Sequence, residues 1–167
     1  ILAYPAPETG DSLARQIVAP HLTDEKTEIA IRMPLSAPKF PDNAVYGEAA
    51  TQLERHLANG QDVAVLCEGD PFFYGSFMYL FARMAERHTV EVVPGVSSPM
   101  ACAAVLGAPL AAQNDILTIL PAPLPSVQLK AQLDATDAAA IIKLGRHFER
   151  VRALISDLSL LDCARYI

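Results

Sequence analysis

Short β-rich runs alternate with longer stretches of helical period along nearly the whole chain, and that alternation restricts it to the α/β class. Residues 1–4 read as a strand stopped by Pro5 and Pro7, and Asp11 or Ser12 suits the cap of a short helix running to Val18. A second strand is expected at 27–31, before a loop marked by Pro34, Pro38 and Pro41. Asp42 then offers an N-cap, and Val45, Ala49, Leu53 and Leu57 recur every four residues. That spacing is one face of an amphipathic helix, closed by Asn59-Gly60. Residues 63–67 are nearly all apolar, as in a strand buried on both faces. The pattern continues as helix 76–87, strand 90–93, and helix 98–106 stopped at Gly107. Strand 116–120, helix 127–133, strand 139–144, helix 148–158 and a strand opening at Ala164 complete it. At Ala111-Ala112-Gln113-Asn114 the composition turns small and polar, which places a boundary between a first α/β domain, 1–112, and the start of a second, 113–167.

Several classes of function drop out on composition. With 51% hydrophobic and 19% charged residues, the chain has too much apolar material for disorder. No apolar run approaches the roughly 18 residues of a membrane span, so no membrane partner is expected. A net charge of −6, without a basic stripe or tail, argues against a nucleic-acid partner. Cys67, Cys102 and Cys163 stand far apart and form no C-x-x-C pair, which excludes a zinc ribbon or disulfide framework and suits a reducing cytoplasm. His21, His56, His88 and His147 show no H-x-x-x-H spacing, so no metal is expected. The chain opens on Ile1-Leu2-Ala3 without a methionine and closes at Tyr166-Ile167 inside an expected strand, so both ends read as truncations.

Ligands of open α/β sheets bind beyond the carboxyl ends of strands, in the loops that lead into helices. Three such loops stand out. In Glu68-Gly69-Asp70-Pro71-Phe72-Phe73-Tyr74-Gly75, Gly69 permits close backbone approach, Pro71 fixes the turn and Asp70 presents a carboxylate. A plain turn would use Gly, Asp and Pro as well. The three aromatic residues either pack under the next helix or line a cleft for something flat and apolar. In Val93-Pro94-Gly95-Val96-Ser97-Ser98, Ser97 suits an N-cap, and two adjacent hydroxyls also suit a polar ligand. Lys143-Leu144-Gly145-Arg146-His147 forms the third junction. Neither a P-loop, nor G-x-G-x-x-G, nor a G-x-S-x-G elbow occurs.

The string Leu66-Cys67-Glu68-Gly69-Asp70-Pro71-Phe72-Phe73-Tyr74-Gly75-Ser76-Phe77, followed by Val92-Val93-Pro94-Gly95-Val96-Ser97-Ser98, resembles the tetrapyrrole methylase family. Tyr4-Pro5-Ala6-Pro7-Glu8 extends the resemblance upstream and points within the family to cobalamin biosynthesis. The resemblance implies two α/β domains with the active site in the cleft between them, a homodimer, and S-adenosylmethionine as cofactor, leaving as S-adenosylhomocysteine. It places Gly69, Asp70 and Pro71 on the cofactor, with Phe73 as a wall. Ser97 and Ser98 would meet the methionine or adenosyl portion, and Leu144 the adenosine. The Gly-Pro-Gly loop that opens family members and the closing strands of their second domain are missing from the sequence, which puts the completeness of the pocket in question.

The implied reaction moves a methyl group from sulfonium sulfur to a meso carbon of a reduced tetrapyrrole. Asp70 and Tyr74, with Glu68 nearby, are the candidate catalytic groups for any later proton loss. A substrate rich in carboxylates calls for cations, and Arg32, Lys39, Arg146 and Lys143 are the candidates at strand ends and loops. Diphthine synthesis and ribosomal RNA methylation occur in the same family, but the aromatic loop and the absent basic stripe favour a flat macrocycle. A non-catalytic α/β ligand-binding module is the alternative from another class.

Overall fold

The computed structural model describes residues 1–22, 26–34 and 43–167. The chain divides into two compact units, 1–96 and 97–167. The division falls before the helix at 98–106, whereas the change of composition falls after it, at 112/113. Local composition marked the loop after that helix, whereas the division follows from what each residue packs against.

In the first unit, β1 (Leu2–Pro7) is the central strand of a three-stranded parallel sheet. On one side it pairs with β2 (Glu28–Met33), Leu2 opposite Glu28 and Pro7 opposite Met33. On the other it meets β3 (Ala64–Val65), a pairing of only two residues. Proline at both Pro5 and Pro7 removes backbone donors from β1 without ending it where the sequence suggested. The expected strand 63–67 shrinks to two residues, and Ala64 is exposed rather than buried on both faces. Residues 90–93 form no strand: β3 pairs with β1 alone among the described residues, and Val93 is exposed, so the apolar run has no ladder to join.

Helix α1 (Leu13–Val18) is capped as the sequence indicated. The Ser12 hydroxyl accepts from the Arg15 backbone N–H at 3.2 Å and donates to the Pro5 carbonyl at 2.5 Å. Helix α2 (Asn43–Ala58) buries the four-residue stripe, with Leu53 fully buried, Ala49 nearly so, and Val45 and Leu57 partly covered. Asp42, the expected N-cap, lies outside the described residues. Helix α3 (Phe77–Met84) adds Leu80 and Met84, and together with Ala3, Ile29, Ile31 and Tyr46 these residues form the core. Glu54 on α2 pairs with Arg87 at 2.5 Å just beyond α3.

The second unit begins with α4 (Ser98–Leu106), which stops at Gly107 in the left-handed region, the C-cap the sequence predicted. Strands β4 (Leu117–Pro121) and β5 (Ala138–Ile142) pair in parallel, Leu117 opposite Ala138. They are joined through α5 (Ser126–Leu133), and α6 (Phe148–Asp157) follows β5. Leu120, Ala122, Leu129 and Val151 make the core of this unit. Arg150 ties the β4–α5 loop down, donating to Ser126 Oγ at 2.9 Å and to the Ala122 carbonyl. Residues from 164 onward form no strand, since Cys163 and Ala164 are turned back onto Leu160 by their backbone bonds. No described helix is long and apolar enough to cross a membrane.

Candidate functional site

The first unit locks two loops together through one carboxylate and a close approach of backbone. Gly69 takes φ +69°, the left-handed conformation that glycine adopts without a steric penalty, and swings the chain out of the strand. The next residue, Asp70, then uses both carboxylate oxygens. Oδ1 accepts from the Phe72 N–H at 2.9 Å, the local bond that makes Asp a turn residue. Oδ2 reaches across to the Gly95 N–H at 3.0 Å, twenty-five residues on in the chain. These bonds, that from Gly95 first and those from Phe72 and Phe73 after it, hold the Asp70 carboxyl below its ordinary range.

Gly95 is where the loops come closest. A methyl group added there would lie 2.1 Å from the Gly69 carbonyl oxygen, a distance no side chain tolerates. Gly75 closes the same loop on itself: a methyl there would lie 2.7 Å from the Pro71 carbonyl oxygen. Neither requirement is visible as a motif in the sequence, although a glycine after a proline in the second loop was a signal for a tight turn.

The aromatic run splits in two. Phe72 packs on α3, edge-on to Phe81 with ring centres 5.0 Å apart and 5.9 Å from Phe77. Phe73 and Tyr74 form a separate T-shaped pair at 5.1 Å. Tyr74 has φ +54° and is 45% exposed, an uncommon backbone conformation for a bulky residue.

Glu68 accepts from the Ala14 N–H at 3.2 Å, so it satisfies the first turn of α1. Cys67 sits half-buried before it, and desolvation, with Glu68 adding repulsion, pushes its thiol up to about 11. That thiol stays protonated and unreactive at neutral pH.

The basic candidates fare differently. Arg32 lies at the end of β2 and donates to the carbonyls of Pro7 at 3.0 Å, Gly10 at 3.4 Å and Glu8 at 3.5 Å, which fixes the loop before α1. It shares a small cavity of about 180 Å³ with Tyr4, Ser12 and Arg15. Arg15 is paired with Glu28, its Nε and Nη2 each 2.8 Å from a carboxylate oxygen, and the Tyr4 hydroxyl donates to Glu28 at 2.7 Å. No motif or spacing marks this three-residue group in advance. Lys39 lies outside the described residues.

In the second unit, Ser97 precedes α4 but its hydroxyl does not cap the helix; it points to Met100 Sδ at 2.7 Å and is nearly buried. Ser98 is exposed at the first turn. Leu144 packs partly against the core of its unit, between Lys143 at φ +60° and Gly145 at φ +36°, and Arg146 is exposed.

Comparison with known proteins gives the arrangement a context. The family model described as Tetrapyrrole (Corrin/Porphyrin) Methylases matches residues 7–166. A cobalamin biosynthesis protein, CobIJ, of Mycobacterium tuberculosis strain H37Rv is 36% identical over the whole chain, which spans 34% of that protein. A precorrin-2 C(20)-methyltransferase from Sinorhizobium sp. is 34% identical, again over the whole chain and over 71% of its own length. The chain thus spans about a third of the mycobacterial relative. Among solved structures, the methyltransferase CobJ superposes with a TM-score of 0.54 at 16% identity, over 93% of this chain and 74% of that one, a likeness of fold.

Proposed function

Since the chain belongs to the tetrapyrrole (corrin/porphyrin) methylase family, we propose that it transfers a methyl group from S-adenosylmethionine to carbon 20 of precorrin-2, or of its cobalt complex, in cobalamin biosynthesis. The name of the Sinorhizobium relative supports that choice of substrate and carbon. The observation that carries the reading is the closure of Gly95 on Gly69 with Asp70 bonded across it. A homodimer in the cytoplasm is part of the same proposal.

The residues present fit an adenosyl cofactor. Gly69 and Gly95 are exposed and bare, so a ligand can reach their backbone. Val93 and Val96 are 73% and 70% exposed around that turn and offer apolar surface. Asp70 stays ionised and so suits a positive centre. When bound, S-adenosylmethionine supplies the methyl group on a sulfonium sulfur that is already an excellent leaving group. Gly69, Asp70, Pro71 and Phe73 hold and orient it; Ser97, Ser98 and Leu144 are further proposed contacts. Arg32 and Arg146 are proposed partners for substrate carboxylates. Catalysis by these residues is mainly positioning, which is worth on the order of 7–11 kcal/mol in well-oriented reactions.

Asp70 is a positioning residue in this scheme rather than the base suggested by its place in the sequence. A carboxylate whose two oxygens already accept backbone N–H bonds, and whose pKa is depressed, is a poor proton acceptor. Asp70→Ala is expected to lower methyl transfer to precorrin-2 at least about tenfold and to weaken S-adenosylhomocysteine in parallel, with helical circular dichroism intact. Asp70→Asn, which keeps one acceptor oxygen, falls between. An Asn variant as inactive as Ala but with unchanged cofactor affinity would instead identify a base. The folded pKa lies below the unfolded value of about 3.9, so the clamp is in place above that value and is lost as pH falls through the folded one. Cofactor affinity should therefore be flat from about pH 5 to pH 8 with respect to this group.

A further inference from the structure

The loop 68–75 leaves β3 and enters α3 beside one small cavity. Cys67 lines it from the first end of the loop, Ser76 from the second, and Tyr46 from α2. Much of the remaining wall is apolar, with Ile31, Val65 and Leu80. Tyr46 is only 2% exposed, and its hydroxyl has no hydrogen-bond partner among the described residues. Burial pushes this phenol up, and the Ser76 hydroxyl lies near enough to work against that push, yet the two do not meet in a hydrogen bond. The ring has reasons of its own to be there. It packs on Tyr79 with ring centres 5.3 Å apart, and the Arg83 guanidinium lies 6.0 Å from its centre. A phenylalanine would make both contacts, so packing does not account for the oxygen. Buried polar groups in native proteins are satisfied, by ordered water where the protein supplies no partner.

The cavity measures about 10 Å³, room for one water molecule and nothing larger. We infer that it is a site for a single internal water, held by the Tyr46 and Ser76 hydroxyls, which ties α2 to the two ends of the loop 68–75. The Tyr46 O–H donates to the water, and the water donates to Ser76 Oγ. The Cys67 sulfur, which accepts from the Phe77 N–H, is a weak further acceptor on the same wall. Three such groups match the two to four partners a buried water takes. The loop between Cys67 and Ser76 carries Gly69 and Asp70, so a hydroxyl on a neighbouring helix takes part in fixing where that loop starts and stops. The inference does not depend on which ligand the loop holds.

The test compares the unaltered protein with Tyr46→Phe, in crystals that show ordered water elsewhere and in solution by thermal melting and amide hydrogen exchange. The unaltered protein should hold one ordered water about 2.5–3.0 Å from both the Tyr46 and the Ser76 hydroxyl oxygens, and the variant should lose it. Losing the bridge should lower the thermal midpoint by about 2–4 °C. A hydroxyl buried without any partner predicts the opposite sign, because its removal relieves an unsatisfied group. Exchange at the Phe77 amide should quicken about threefold to tenfold more than at Leu53, inside α2. Three results would each overturn the inference. One is a cavity without ordered water, whether empty or closed by a direct Tyr46–Ser76 bond. The second is a Tyr46→Phe midpoint unchanged or raised. The third is Phe77 exchange that only keeps pace with Leu53, which would show that nothing at Tyr46 holds the loop.

Discussion

Gly95→Ala is expected to weaken S-adenosylhomocysteine binding by about a hundredfold or more. The added methyl group would lie 2.1 Å from the Gly69 carbonyl oxygen and 3.0 Å from its carbon, where ordinary contact begins near 3.4 Å. The obstruction is backbone, so no rotamer change relieves it. One loop must move by more than an ångström, and the Gly95 N–H bond to Asp70 lengthens with it. A displacement of that size at a site that works by positioning costs on the order of two decades. Gly47→Ala is the matching control: nothing lies within 4 Å of its added methyl, and it sits inside α2. That variant should bind normally and gain roughly 0.5–1 kcal/mol of stability. Normal cofactor-analogue affinity in Gly95→Ala would show that the loop closure is unrelated to binding.

The second large effect falls on stability. Leu53→Ala should cost about 2–5 kcal/mol in chemical denaturation. Leu53 is fully buried in the middle of α2, in a cluster with Tyr46, Ala49, Ala50, Leu80 and Met84 beneath Ala3, Ile29 and Ile31 of the sheet. Truncation there removes both the transferred apolar surface and its packing partners, and a helix held between sheet and neighbouring helix collapses only partly into the space. A cost below about half a kcal/mol would mean that α2 does not pack on the sheet as described.

The α/β class and most helices were legible because their causes are local. Val45, Ala49, Leu53 and Leu57 declare one face of α2 by spacing alone, and Ser12 and Gly107 announce a cap and a stop by residue type. What failed depended on partners distant in sequence. Residues 90–93 have strand composition but no strand beside them, and 63–67 pair over only two positions. Composition changes at 112/113, whereas the chain divides into its compact units at 96/97, a property of contacts that no residue type announces. The same division runs through the site. Gly69, Asp70 and Pro71 were marked by their own chemistry, but the approach of Gly95 to Gly69 is a tertiary fact, and so is the use of both Asp70 oxygens by backbone donors. Arg32 looked like a free cation at a strand end; three carbonyls of the β1–α1 loop lie within reach of it.

The most direct test of the central claim is a calorimetric titration of the unaltered protein with S-adenosylhomocysteine. Saturable binding at one site per chain is expected, unchanged in Gly47→Ala and weakened by about a hundredfold or more in Gly95→Ala. Absence of saturable heat with the unaltered protein would contradict the assignment of the Gly69–Pro71 loop and the Pro94-Gly95 turn to an adenosyl cofactor, and the proposed methyl transfer would fall with it.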